Sequence, residues 1–77
     1  MALLVEIKLI ATQVKYLRLI EKEWSQQKLV DCVNAIAPKV RLTQQRLSEI
    51  ENGVIPDFDE MSAIAAAFEV PVEKFGA

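Results

Sequence analysis

The chain has 77 residues, 52% of them apolar and 26% charged, a composition that suits one small folded domain with a thin core. It has no histidine and a single cysteine, Cys32, which excludes a disulfide framework, a zinc finger and a Ser/His/Asp triad. The net charge of −2 conceals a division: residues 1–46 carry eight of the nine basic side chains against four acids, and residues 47–77 carry seven acids against Lys74 alone. Such a split fits one face turned to a polyanion and another turned to solvent. Chance placement of surface charge produces the same split, so charge alone decides nothing.

The first ten residues admit two readings. Leu3, Val5, Ile7 and Leu9 alternate with Leu4, Glu6, Lys8 and Ile10, a period-two pattern rich in β-branched residues that fits a strand. The same stretch also feeds a helical spacing of Ile7, Ile10, Val14, Leu17, Ile20 and Trp24. Thr12 reads as an N-cap, which sets an arm over 1–12 and a first helix over 13–23. The opening MALLVEIKLIA lacks a basic leader and is interrupted by Glu6 and Lys8, so it is not expected to act as a secretory signal. No apolar run reaches the ~18 residues that a membrane span requires.

Ser25 predicts the next helix start, as an N-cap before Gln26-Gln27-Lys28. Leu29, Val30, Cys32, Val33 and Ile36 supply the apolar face of this second helix, which stops before Pro38. Cys32 is expected as a small buried hydrophobe, and Trp24 as a core or rim residue. A polar stretch, Pro38-Lys39-Val40-Arg41-Leu42, leads to a further cap at Thr43. The third helix follows as Gln44-Gln45-Arg46-Leu47-Ser48-Glu49-Ile50-Glu51, with Leu47 and Ile50 inward and Asn52-Gly53 as its terminator. Asp57 and Glu60 form a capping box for a fourth helix carried by Met61, Ile64, Ala65 and Phe68. That duty accounts for two of the three carboxylates in the Asp57, Asp59, Glu60 group, so a metal site is not expected there. Val70-Pro71 ends the fourth helix, and Val72-Glu73-Lys74-Phe75 makes a last short turn of helix. The sum is five short helices around one core.

Two short helices joined by a connection, the second opening on a capped polar turn, describe a helix-turn-helix unit. The start of the second helix gathers unpaired N–H groups that suit a phosphate, with Gln26 there as an added donor. The start of the third suits the major groove. A glutamine amide pairs with adenine N6/N7 and an arginine with guanine O6/N7, so Gln44, Gln45 and Arg46 are three candidate readers that fan across neighbouring bases and phosphate. Lys39 and Arg41, just before this helix, are candidate phosphate contacts.

Ser25-Gln26-x-x-Leu29, then Thr43-Gln44-Gln45-x-Leu47-x-x-Ile50-Glu51-Asn52-Gly53, then Pro56, then Ala65-x-Ala67-Phe68-x-Val70, resembles the Cro/CI-type (XRE) helix-turn-helix family. The Thr-Gln-Gln opening and the following Glu-Asn-Gly are similar to lambdoid phage repressor heads. The match covers roughly residues 13–75. It implies an all-α, five-helix Cro/CI-like domain over 13–77. It also implies backbone contacts from Gln26 and Asn52, base readout by Gln44 and Gln45, and a structural carboxylate at Glu51, for which Arg18 is a candidate partner. Thr43, which opens the third helix, is a further candidate backbone contact.

Two features depart from that family. Leu29 and Glu51 stand 22 positions apart, several more than the family pattern holds, and the turn lacks the family's glycine. The added residues either lengthen the second helix or bulge as a loop carrying Lys39 and Arg41. After Gly53, where relatives often place lysines, this chain has Val54, Ile55, Asp57 and Asp59.

The sequence therefore predicts a cytoplasmic, sequence-specific regulator of duplex DNA that acts as a repressor. It is expected to work without cofactor, catalysis, small-molecule substrate or membrane. One recognition helix reads only a few base pairs, so a homodimer on two half-sites is expected. Leu3, Val5, Ile7 and Leu9 are the candidate dimer contacts, each strand supplying the partner that the other lacks. The rival reading is a protein-interaction module on the same fold, an antitoxin or antirepressor-like partner, which the acidic second half favours.

Overall fold

A computed structural model describes residues 10–75. Within them the protein has four helices and no strand. The segment carrying Leu3, Val5, Ile7 and Leu9 lies outside the described residues, as do the strand and the arm contacts expected there.

The first helix, α1, is α-helical over residues 10–16 and continues as a π-helical turn, Leu17–Glu21. Thr12 is therefore not an N-cap but an exposed position inside the helix, and α1 begins earlier and ends earlier than 13–23. Tertiary packing decides this. Val14, Leu17 and Arg18, at i, i+3 and i+4, are all buried, and that stripe outweighs the modest capping preference of one threonine. The π turn closes with the Lys22 N–H on the Leu17 carbonyl at 2.9 Å, and the Trp24 N–H folds back to the Arg18 carbonyl at 2.8 Å. Glu23 turns the chain with φ at 55°. Trp24 then stacks on Phe68, ring centroids 5.9 Å apart. Ile20, expected on the inward stripe, instead points to solvent with 62% of its surface exposed.

Helix α2, Gln26–Ile36, starts as expected at Ser25, whose side chain accepts from the Lys28 N–H, and buries Leu29, Val30 and Val33. Cys32 is half-buried against the core, and Ile36 is exposed rather than inward. Pro38 cannot extend the ladder. The chain instead makes a 3-10 turn, Pro38–Val40, and reverses at Arg41 in the left-handed region, φ 52° and ψ 49°. The extended connection is thus a loop built on a short turn, not a lengthened helix.

Asn34 fastens that loop. Its side-chain Nδ2 donates to the Leu42 carbonyl at 2.8 Å, and its Oδ1 accepts from the Leu42 N–H at 2.8 Å. Both backbone groups of Leu42 are satisfied by one side chain, so its own side chain drops into the core. Thr43 then caps α3, Gln44–Glu51, accepting from the Arg46 N–H. Leu47 and Ile50 are fully buried, and Gly53 at φ 111° makes the terminating turn that a Cβ would hinder.

The Asp57–Glu60 capping box forms as expected and opens α4, Phe58–Phe68. Buried Ala63, Ala65 and Ala67 allow close approach, and α4 makes its most extensive contact with α2. The expected fifth helix is a single 3-10 turn, Val72–Phe75, which drives Phe75 into the base of the core. None of the described helices is long and apolar enough to cross a membrane.

Candidate nucleic-acid interface

The start of α2 and the outward side of α3 meet in one shallow, open depression lined by Gln26, Gln44, Gln45, Ser48, Glu49 and Asn52. Of the residues expected to contact DNA, this brings together Gln26, Gln44, Gln45 and Asn52. Lys39 and Arg41 stand apart, exposed on the loop before α3. Thr43 is occupied in capping.

A chain of hydrogen bonds runs from the core to this surface. Arg18 grips Glu51 with two bonds, Nε to Oε2 at 2.7 Å and Nη2 to Oε1 at 2.9 Å, and its Nη1 donates to the Trp24 carbonyl at 3.0 Å. Both partners are buried. The Gln26 amide donates to Glu51 Oε1 at 3.2 Å, and the Gln44 amide donates to Gln26 Oε1 at 3.3 Å. One carboxylate therefore joins α1, α2 and α3, and the first side chain of α3 is oriented through Gln26 by a buried ion pair. Gln45 is exposed with no such tether. The Asn52 amide donates to the Ser48 carbonyl at 2.8 Å, which leaves its second amide hydrogen for a ligand.

Arg46, the third candidate reader, is not among the residues that line the depression. Its guanidinium turns to α4 and grips Glu60, Nε to Oε2 at 2.8 Å and Nη2 to Oε1 at 2.9 Å. Glu60 also accepts from the Asp57 N–H at 2.9 Å, so one carboxylate both caps α4 and anchors α3. The Arg46 hydrogen bond holds the Glu60 carboxyl below the usual carboxylate range, against the opposing effect of burial, and Glu60 in turn raises Arg46 above its ordinary value. The third nitrogen of Arg46, Nη1, lies 3.5 Å from Glu49. Among the described residues no buried side-chain nitrogen or oxygen lacks a partner.

Sequence reasoning does not anticipate Asn34, the Arg46–Glu60 grip, or Ser48 and Glu49 in the depression. Asn34 left one signal: asparagine in a helix interior competes with the ladder and is rarely there without a local hydrogen bond. The Arg46–Glu60 pairing crosses 14 positions and has no local signature.

Two short capped helices, α2 and α3, joined by a reversing connection and packed on one core, have the form of a helix-turn-helix unit. The helix-turn-helix family profile matches residues 14–75, and the chain belongs to that family, of the Cro/CI (XRE) type. It is a family of DNA-binding regulatory domains. No curated protein and no solved structure matches the chain.

Proposed function

We propose that the protein is a sequence-specific regulator that occupies duplex operator DNA, as a repressor in the cytoplasm, without catalysis or cofactor. The observation that carries this reading is the depression in which Gln26, Gln44, Gln45 and Asn52 converge, with the Gln44 side chain held in place from the core. Preorganised amide groups at a helix start suit the edges of adenine, and the N–H groups at the start of α2 suit phosphate. Gln44 and Gln45 are the readers in this account, with Gln26, Thr43 and Asn52 beside the backbone, and Arg46 a strut between α3 and α4. Binding-site selection from random duplexes, repeated at two salt concentrations, tests it. A consensus motif supports the reading, and enrichment of none contradicts it.

Replacing Gln44 or Gln45 with alanine is expected to weaken binding to the selected site by about 1–3 kcal/mol and to leave random-sequence binding nearly unchanged. Equal losses on both duplexes would remove these residues from readout. Lys39→Ala and Arg41→Ala are each expected to weaken binding to all sequences and to lower the slope of log affinity against log salt by about one. Their exposed position just before α3 motivates this, and titrations at several salt concentrations measure it.

Operator control by so small a reader calls for two half-sites about 34 Å apart, hence for a homodimer joined through the segment with Leu3, Val5, Ile7 and Leu9. Support comes from α1, where Tyr16, Leu19 and Ile20 leave an exposed apolar stripe close in sequence to that segment. Sedimentation of a Val5→Lys, Ile7→Lys variant is expected to show a folded monomer where the parent chain is a dimer; a variant that stays dimeric at micromolar concentration refutes this interface.

The protein-interaction reading is favoured by a second surface. Ile36, Val40, Ala63, Ala66 and Phe58 line a groove between the end of α2 and α4, rimmed by Asp57 and Asp59, and Phe58 is 74% exposed. An apolar floor with Asp57 and Asp59 on one rim and Lys39 on the other suits an amphipathic segment of another protein.

A further inference from the structure

We propose that Glu49 is a specificity-determining residue that selects a cytosine in each half-site. The inference rests on the duplex-DNA reading above. Glu49 lies one turn beyond Gln45 on the same side of α3, and shares the open depression with Gln26, Gln44, Gln45, Ser48 and Asn52. Its side chain is 46% exposed, and its Oε1 lies 3.5 Å from Arg46 Nη1. Arg46 cannot swing out to carry the carboxylate away, because Glu60 holds its other two nitrogens at 2.8 and 2.9 Å. Glu49 is thus held beside Gln45 in the depression, loosely paired with an Arg46 whose charge is already committed to Glu60.

An ionised carboxylate only accepts hydrogen bonds. In the major groove guanine offers N7 and O6 and thymine offers O4, all acceptors that repel it. Adenine offers an amino group beside an N7 acceptor, and cytosine offers its N4 amino group. Cytosine is therefore the base edge that accommodates Glu49. Four residues of helix span about 6 Å, close to two base-pair steps of about 3.4 Å, which sets the cytosine within about two base pairs of the position read by Gln45. The same charge opposes approach to unmatched phosphate-lined DNA, so Glu49 discriminates by exclusion as well as by attraction.

The test is binding-site selection from random duplexes with the full chain, with Glu49→Ala and with Glu49→Gln, the fold of each variant confirmed by circular dichroism. The parent chain is expected to enrich cytosine at one half-site position. Glu49→Ala should lose that preference, Glu49→Gln should move it towards adenine, and both should bind random duplex more tightly than the parent. The rest of the motif, set by Gln44 and Gln45, should persist. Exchanging the selected C·G pair for T·A should weaken the parent chain about ten-fold or more and leave Glu49→Ala indifferent. A parent motif that both variants reproduce at every position overturns the role of Glu49 and leaves the DNA reading standing. A parent chain that enriches no motif overturns both.

Discussion

Replacing Glu51 with alanine is expected to lower the unfolding free energy by about 3–5 kcal/mol, because it leaves the Arg18 charge buried without its counter-ion. The side chain of Glu51 takes two bonds from Arg18 and one from Gln26, so its loss disconnects three helices together. A domain of this length has a total stability of roughly 4–12 kcal/mol, and the variant should be substantially unfolded at modest urea concentration. Urea titration followed by circular dichroism measures the difference. Arg18→Met combined with Glu51→Leu should recover much of the loss, since two matched apolar side chains remove the unpaired charge. A Glu51→Ala variant as stable as the parent would show that the ion pair does not hold the helices.

The second large effect is expected at Asn34. Its alanine variant leaves both the N–H and the carbonyl of Leu42 without the partners they have at 2.8 Å, a cost of about 2–4 kcal/mol for two interior groups. Leu42 should lose its seat in the core, and the loop ahead of α3 should loosen. Hydrogen exchange at the Leu42 amide should accelerate more than at Leu47 or Ile50, which α3 protects. Asn34→Asp keeps an acceptor for the N–H but sets a carboxylate against the Leu42 carbonyl, so it should not restore stability. Unchanged exchange at Leu42 in Asn34→Ala would mean that the connection is held by other contacts.

Local signals made most of the fold legible in the sequence. Ser25, Thr43 and Asp57 mark three helix starts because each side chain accepts from an N–H three residues on, a relation that a short window contains in full. Pro38 and Gly53 mark two ends for equally local reasons. At the N-terminal boundary Thr12 offers a cap while the stripe of Val14, Leu17 and Arg18 answers to the core, and a single sequence does not rank those demands. Ile20 points outward because the π turn rotates the chain out of the 3.6-residue register on which inward faces are counted, whereas Ile36 keeps that register but ends α2 at the edge of an open groove beside Phe58 and Ala66.

The candidate site is legible where a motif carries it and obscure where tertiary pairing does. Gln44 and Gln45 follow from their place after Thr43, and Glu51 with Arg18 from the family pattern. That Gln26 couples this pair to Gln44 emerges only when α1, α2 and α3 are set against one another. Arg46 has the chemistry of a guanine reader, and its side chain is turned away by a glutamate that belongs to the next helix. The same engagement leaves Glu49 as the charged group on the outward side of α3 beside the glutamines.

The central claim, that duplex DNA is bound by the start of α2 and the outward side of α3, is tested most directly by backbone amide chemical shifts recorded while a selected duplex is titrated into the labelled protein. The account predicts that the largest changes fall at Gln26 and Gln27, at Arg41 through Gln45, and at Ser48, Glu49 and Asn52, with α4 beyond its first turn nearly unmoved. Changes concentrated instead around Ile36, Phe58 and Ala66, with Gln44 and Gln45 silent, would contradict it.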